Sequence, residues 1–201
     1  MLRVGLTGGI ATGKSYVARR LQAAGIPVVD ADLLARAAVA PGTPGFRAVV
    51  ARFGPGVVDG AGRLDRARLA EIVFSDAGAR RALEAIVHPQ VRAAIDDFWA
   101  ALPADTPFAV ADIPLLFETG RPGDFDAVIV ASCPQDMQIE RIMQRDGATR
   151  AQAERRLAAQ WPIDAKVRSA DYVIDTSSTF EATDAAVDAV IRALRARTEG
   201  A

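Results

Sequence analysis

The sequence predicts a doubly wound α/β fold, and three observations carry that expectation. Five short apolar runs, Leu2 to Leu6, Ile26 to Val29, Phe108 to Ile113, Ala127 to Ser132 and Tyr172 to Ile174, have the continuous hydrophobicity of parallel strands buried on both faces. Stretches of helical character lie between them, and strands alternating with helices build a sheet covered on both sides. A glycine-rich run with a single lysine, Gly8-Gly9-Ile10-Ala11-Thr12-Gly13-Lys14-Ser15, leaves the first strand and opens the helical stretch Ser15 to Ala24.

In that run Gly8 and Gly13 frame four residues ahead of Lys-Ser, the P-loop spacing, with the strand before and helix after that the motif requires. Glycines permit positive φ, so consecutive N–H groups can turn inward around a β-phosphate, and the helix start adds its positive end. Lys14 is placed to reach β- and γ-phosphate oxygens, and the Ser15 hydroxyl to ligate a magnesium ion that bridges them. The chain has 24 basic residues, of which only Lys14 and Lys166 are lysine, so the compact ammonium stands where a point charge must enter a small cradle.

Gly25 is placed to close the first helix, and the second strand ends in Val29-Asp30-Ala31-Asp32. Ligands of open α/β sheets gather at the carboxyl ends of strands, so Asp30 and Asp32 fall near the phosphate loop; if both stay extended they project to one side. Asp32 is a candidate general base for a phosphoryl acceptor, or the N-cap of the helix that begins at Leu33. Arg36, one turn on, either holds a substrate phosphate or pairs with Asp32.

Nearly eighty residues separate the second and third strands, too many for a simple crossover, so an inserted substrate-binding subdomain is expected. It holds the turn-rich segment Val57 to Leu64 and a helical pattern from Ala79 to Leu102, which Pro89 should kink or split at His88. His88 is the only histidine and has no nearby partners for a metal site. Asp112 ends the third strand, as a Walker-B-type carboxylate or a turn residue before Pro114. Helix starts are marked by Pro134, by Thr149 with Gln152 and by Ser178 with Glu181. Ile139 to Arg168 is arginine-rich, Lys166 being counted among its cations, and has the character of a lid; Arg141 and Arg145 share a helix face, as phosphate ligands or as a solvated surface.

At 201 residues and 50% apolar composition the chain can bury one substantial core with a small subdomain inserted in it. A net charge of −1 argues against a polyanion-binding surface and hence against nucleic acid. The single cysteine, Cys133, excludes an internal disulfide and a thiolate metal cluster and is expected to be a buried spectator. No signal-peptide pattern appears and no apolar run approaches ~18 residues, so the expectation is a cytoplasmic protein without a membrane segment.

Together these residues resemble the dephospho-CoA kinase family over essentially the whole chain. The resemblance rests on Leu6 to Ser15, Asp30-Ala31-Asp32-Leu33-Leu34-Ala35-Arg36, His88-Pro89, Pro114-Leu115-Leu116-Phe117-Glu118 and Gln144-Arg145-Asp146. It implies a nucleotide-kinase-like P-loop NTPase, a three-layer α/β/α fold on a five-stranded parallel sheet. The core would cover about 1–38, 106–138 and 170–201, a helical CoA-binding subdomain about 39–105 and a lid about 139–169, all within one domain.

The implied reaction is transfer of the ATP γ-phosphate to the ribose 3′-hydroxyl of dephospho-CoA, with Mg²⁺, by a monomer or weak homo-oligomer. The implied roles are Asp32 as base, Arg36 and His88 at the substrate, Lys14 and Arg145 in catalysis, and Gly8, Gly9, Ala11, Thr12, Gly13, Lys14, Ser15, Tyr16, Arg141 and Arg145 around ATP, with Ser15 on the metal. Ala11 stands where the family usually has glycine and implies an αR-compatible turn. Tyr16 replaces a small hydroxyl residue, leaving its backbone N–H available to phosphate. Asp175-Thr176-Ser177-Ser178 replaces a more typical Asp-Asn at the start of the last loop. The competing readings are a kinase of nucleoside monophosphates or sugar hydroxyls and a GTPase switch; against the switch, neither lysine lies in an Asn/Thr-Lys-x-Asp element, and Asp59-Gly60-Ala61-Gly62 reads as a turn.

Overall fold

The computed structural model describes residues 1–199. A five-stranded sheet forms in the order β2-β3-β1-β4-β5, from β1 (Leu2–Gly8), β2 (Val28–Asp30), β3 (Phe108–Asp112), β4 (Ala127–Ser132) and β5 (Tyr172–Asp175). β1 pairs in parallel with β3 and with β4, in registers that set Leu6 opposite both Asp112 and Ile129, and β4 pairs in parallel with β5. The three inner strands are buried almost end to end, as expected where helices cover both faces of a parallel sheet.

Helix α1 (Lys14–Ala23) follows β1, and α2 (Ala31–Ala38) follows β2. Next come α3 (Pro44–Phe53), α4 (Arg66–Ser75) and α5 (Ala77–Ala101), and after β4 come α6 (Gln135–Asp146), α7 (Arg150–Ala158) and α8 (Ile163–Arg168). The last helix, α9 (Phe180–Glu199), lies with α1 against the sheet, where Val17, Leu21, Val187 and Leu194 join Val4, Leu6, Phe108 and Ile129 in the main core.

The chain divides into two compact units. Residues 1–29 with 102–201 carry most of the sheet and its covering helices; residues 30–101 form a helical unit with its own small core around Val49, Val57, Leu64 and Leu69.

Local sequence explains most element ends. Gly25 has φ 78°, and its N–H donates to Gln22 while that of Ile26 donates to Leu21, the paired bonds that close a helix over a left-handed residue. Thr149 and Gln152 form the expected reciprocal cap on α7. The segment Val57 to Leu64 is a turn: Val58 bridges Leu64 in antiparallel fashion, and the Asp59 carboxylate accepts from the N–H groups of Ala61 and Arg63, bonds that hold its pKa below the ordinary value.

Three expectations are corrected. Pro89 does not split its helix: α5 runs through it for 25 residues. One residue past the proline, the Gln90 side chain donates to the Ile86 carbonyl at 3.1 Å. The start of α9 is served by Thr179 rather than Ser178, because the Thr179 hydroxyl lies in reach of the Ala182 N–H. Asp30 and Asp32 do not share an extended strand, because the chain turns helical at Ala31.

Candidate active site

β1 is the central strand, flanked by β3 and β4, so the phosphate loop at its carboxyl end sits where open α/β sheets bind ligands. Gly13, at φ 79°, turns the chain into α1, and its backbone occupies the N-cap position with no side-chain cap. The first-turn N–H groups thus remain a place for an anion. Ala11 is left-handed, φ 59°, rather than αR. The loop keeps the geometry a glycine would give it because bonds on both sides impose it: Thr12 N–H and Oγ1 reach the Gly9 carbonyl, and the Thr12 carbonyl accepts from Thr176 Oγ1 at 2.7 Å.

The Lys14 ammonium pairs with the buried carboxylate of Asp112 at the end of β3. Ser15 is exposed on the first turn. The Tyr16 N–H donates to the Gly13 carbonyl at 2.8 Å, so the helix has already taken the donor expected for phosphate. The Tyr16 phenol turns away to donate to Asp184 on α9, a bond that raises its pKa.

Of the two arginines on α6, Arg141 faces the loop. Its guanidinium donates to the Thr176 carbonyl at 2.7 Å and, at 3.4 Å, to that of Ala11. It also reaches the sulfur of buried Cys133, whose thiol burial pushes up. Arg145 is held in a fork by Asp146, at 2.8 and 3.0 Å, and Asp146 also pairs with Arg156.

The Arg145 fork, with Arg156 beside it, holds the Asp146 carboxyl down to about 2. Because the folded value lies below an unfolded value near ~3.9, the network's contribution is complete above that pH and is lost as the pH falls toward the folded value. A carboxyl-detected NMR titration is expected to place the Asp146 midpoint near the low value and to move it upward in Arg145→Ala. An ordinary midpoint in the wild type would show the fork absent in solution.

In the helical unit, the α2 N-cap is Asp30, whose carboxylate accepts from the N–H groups of Asp32 and Leu33 at 2.8 and 3.1 Å. Asp32 is therefore left out of capping and stays exposed in the first turn. Asp32 and Arg36 line one pocket of about 420 Å³ whose other walls include Val39, Leu69, Leu83 and Val87, and no ion pair joins the two among the described residues. His88, half-buried beside Val87 on α5, is not part of its walls.

Sequence reasoning missed a second set of contacts on the loop. Lys166, counted among the lid's cations, is fully buried: its ammonium donates to the Gly8 carbonyl and pairs with Glu118. Gln160 accepts from the Ile10 N–H at 2.9 Å. The scarcity of lysine was the available signal, and it marked Lys166 as plainly as Lys14.

Relatives share this arrangement of elements from end to end. A protein of Anaeromyxobacter dehalogenans named dephospho-CoA kinase is 50% identical over 193 residues, covering 96% of this chain and 92% of its own. Among solved structures, the dephospho-CoA kinase of Campylobacter jejuni superposes with a TM-score of 0.73 at 28% identity, covering 96% of each chain. Protein TT1252 of Thermus thermophilus does so at 0.83 and 36%, over 96% of this chain and 97% of its own. The family model for dephospho-CoA kinase matches residues 2–182, which take in the loop, its buried supports and the whole helical unit. A match of that extent makes this P-loop kinase fold a member of the dephospho-CoA kinase family.

Proposed function

We propose that the protein transfers the γ-phosphoryl group of ATP to the ribose 3′-hydroxyl of dephospho-CoA, giving CoA and ADP, the final step of coenzyme A biosynthesis. The observation that carries this reading is an intact phosphate loop, with Lys14 at its helix start, in a chain that matches the family almost end to end. Loop residues Gly8 to Ser15 cradle the phosphates through the N–H groups that Gln160 and the Gly9 carbonyl have not already taken, the Lys14 ammonium binds the same phosphates, Arg141 and Arg145 neutralise charge at the transferring group, and the Tyr16 backbone borders the site. Arg145 must leave Asp146 to do so.

Asp32 accepts the hydroxyl proton as the oxygen attacks. Its freedom from the N-cap and, among the described residues, from any ion pair suits a carboxylate that must meet a substrate. Arg36, on the same pocket, holds acceptor phosphate, while the apolar walls suit the pantetheine arm. His88 shapes that unit from α5. We assign acceptor binding to the helical unit, about 39–105, and a lid to about 139–169.

For magnesium, the exposed Ser15 hydroxyl at the helix start fits a hard cation shared with nucleotide phosphates, whereas the described residues include no cluster of three or more acidic, histidine or cysteine side chains to hold one alone. When bound, the ion neutralises β- and γ-oxygens. Among the described residues no helix is long and apolar enough to cross a membrane. We further propose a cytoplasmic enzyme that is a monomer or weak homo-oligomer.

The test is ATP consumption with dephospho-CoA, adenosine, AMP or gluconate as acceptor, with the product identified by mass. Rapid turnover with dephospho-CoA alone, yielding CoA, is the expected result. Faster turnover of another acceptor would remove the substrate assignment and leave the phosphate loop standing.

A further inference from the structure

Both lysines of the chain meet the phosphate loop. Lys14 enters it from the helix, and Lys166 supports it from beneath with no solvent exposure. The Lys166 ammonium donates to the Gly8 carbonyl at 3.0 Å and lies 2.8 Å from Glu118 Oε1. The same Glu118 oxygen accepts the Trp161 N–H at 2.9 Å, and the Trp161 ring stacks on Phe117, 5.9 Å away and 13° from parallel. Among the described residues Glu118 Oε2 is buried with no hydrogen-bond partner, so the carboxylate serves to neutralise Lys166 and to hold the Trp161 backbone.

A Cβ on Gly9 would fall 2.4 Å from the Gln138 amide nitrogen, and the Ile10 N–H donates to Gln160 at 2.9 Å. Residues 8 and 10 are thus bonded to the segment from 160 to 166, while Gln138 on α6 leaves no room for a side chain at Gly9 between them. A lysine suits the deepest of these positions because a compact ammonium bonds a carbonyl and a carboxylate at an angle that a planar guanidinium fork does not reproduce.

We infer that Lys166 is a positioning residue: through Gly8, and together with Gln160 on Ile10, it sets the half of the loop that discriminates a nucleoside triphosphate from a diphosphate. The helix start at Gly13 to Ser15 serves the β-phosphate. On this inference the residues ahead of the Ala11 turn border the part of the cradle that a third phosphate reaches. This rests on the phosphate-loop reading given above.

The experiment measures Kd for ATP and for ADP by calorimetry on the full chain, with steady-state kinetics for dephospho-CoA. It compares wild type, Gln160→Leu and the charge-neutral double variant Lys166→Met with Glu118→Gln. The expected result in both variants is an ATP affinity that falls ~10-fold further than the ADP affinity, the scale of one hydrogen bond, with the KM for dephospho-CoA little changed.

Equal losses for the two nucleotides, which a merely loosened fold produces, or no loss at all, would overturn the inference. Gln160 is only half-buried and its removal strands no charge, so that variant decides the matter if the double variant does not fold. Wild-type protein that binds ATP yet leaves dephospho-CoA unphosphorylated would fail the proposed activity, and the ATP-to-ADP comparison would still be read in full.

Discussion

An Asp32→Asn variant is expected to lose ~10²–10⁴-fold in kcat, the range that a positioned general base contributes, with the Kd for ATP almost unchanged. The local structure makes this a clean experiment. Asp32 is exposed, takes part in no ion pair among the described residues and leaves the capping of α2 to Asp30, so its replacement should shift stability by no more than about 0.5 kcal/mol. Asp30→Ala is the matching control: it removes the cap from the Asp32 and Leu33 N–H groups and should cost about 1 kcal/mol of stability. Single-turnover kinetics and thermal unfolding on both variants separate the roles. Wild-type turnover in Asp32→Asn would remove it as the base.

Lys14→Met is expected to lower kcat/KM by ~10²–10³-fold, the loss seen when one preorganised donor to transition-state charge is deleted. Unlike Asp32, this side chain also belongs to the folded core of the site. Its carboxylate partner Asp112 is only 4% exposed, and removing one member of a buried pair destabilises by up to about 3–5 kcal/mol. Lys14→Arg distinguishes the two effects. It returns a cation to Asp112 and should recover much of the melting temperature, while the bulkier fork still obstructs the cradle and leaves turnover low. Full activity in either variant would contradict the assignment of the loop.

The strands and the phosphate loop were legible because their signals are local. A buried parallel strand is an apolar run, and Gly8 to Ser15 carries its spacing in consecutive residues. The corrections fall where a tertiary partner outvotes a local preference. Ala11 alone would choose αR, but bonds from Thr12, Thr176 and Arg141 around it hold the left-handed turn. Pro89 alone would end a helix, yet α5 packs against α2, α3 and α4 and is carried through it. Asp30 and Asp32 were both visible, but which one caps depends on the residue at which β2 gives way to helix. Lys166 lies 158 residues from the carbonyl it binds, and a charged residue in an arginine-rich stretch gives no local sign of burial.

The economy of lysine has a practical consequence for covalent chemistry. Beyond its amino terminus the chain offers only two primary amines: one is sealed from solvent, and the other lies at the phosphate loop. Arginine, which carries the rest of the basic charge, does not react as an amine. Acylating reagents that would mark most proteins at a dozen scattered points should therefore modify this one at a single internal position, and protection of that position by nucleotide becomes a direct gauge of how much of the loop is filled.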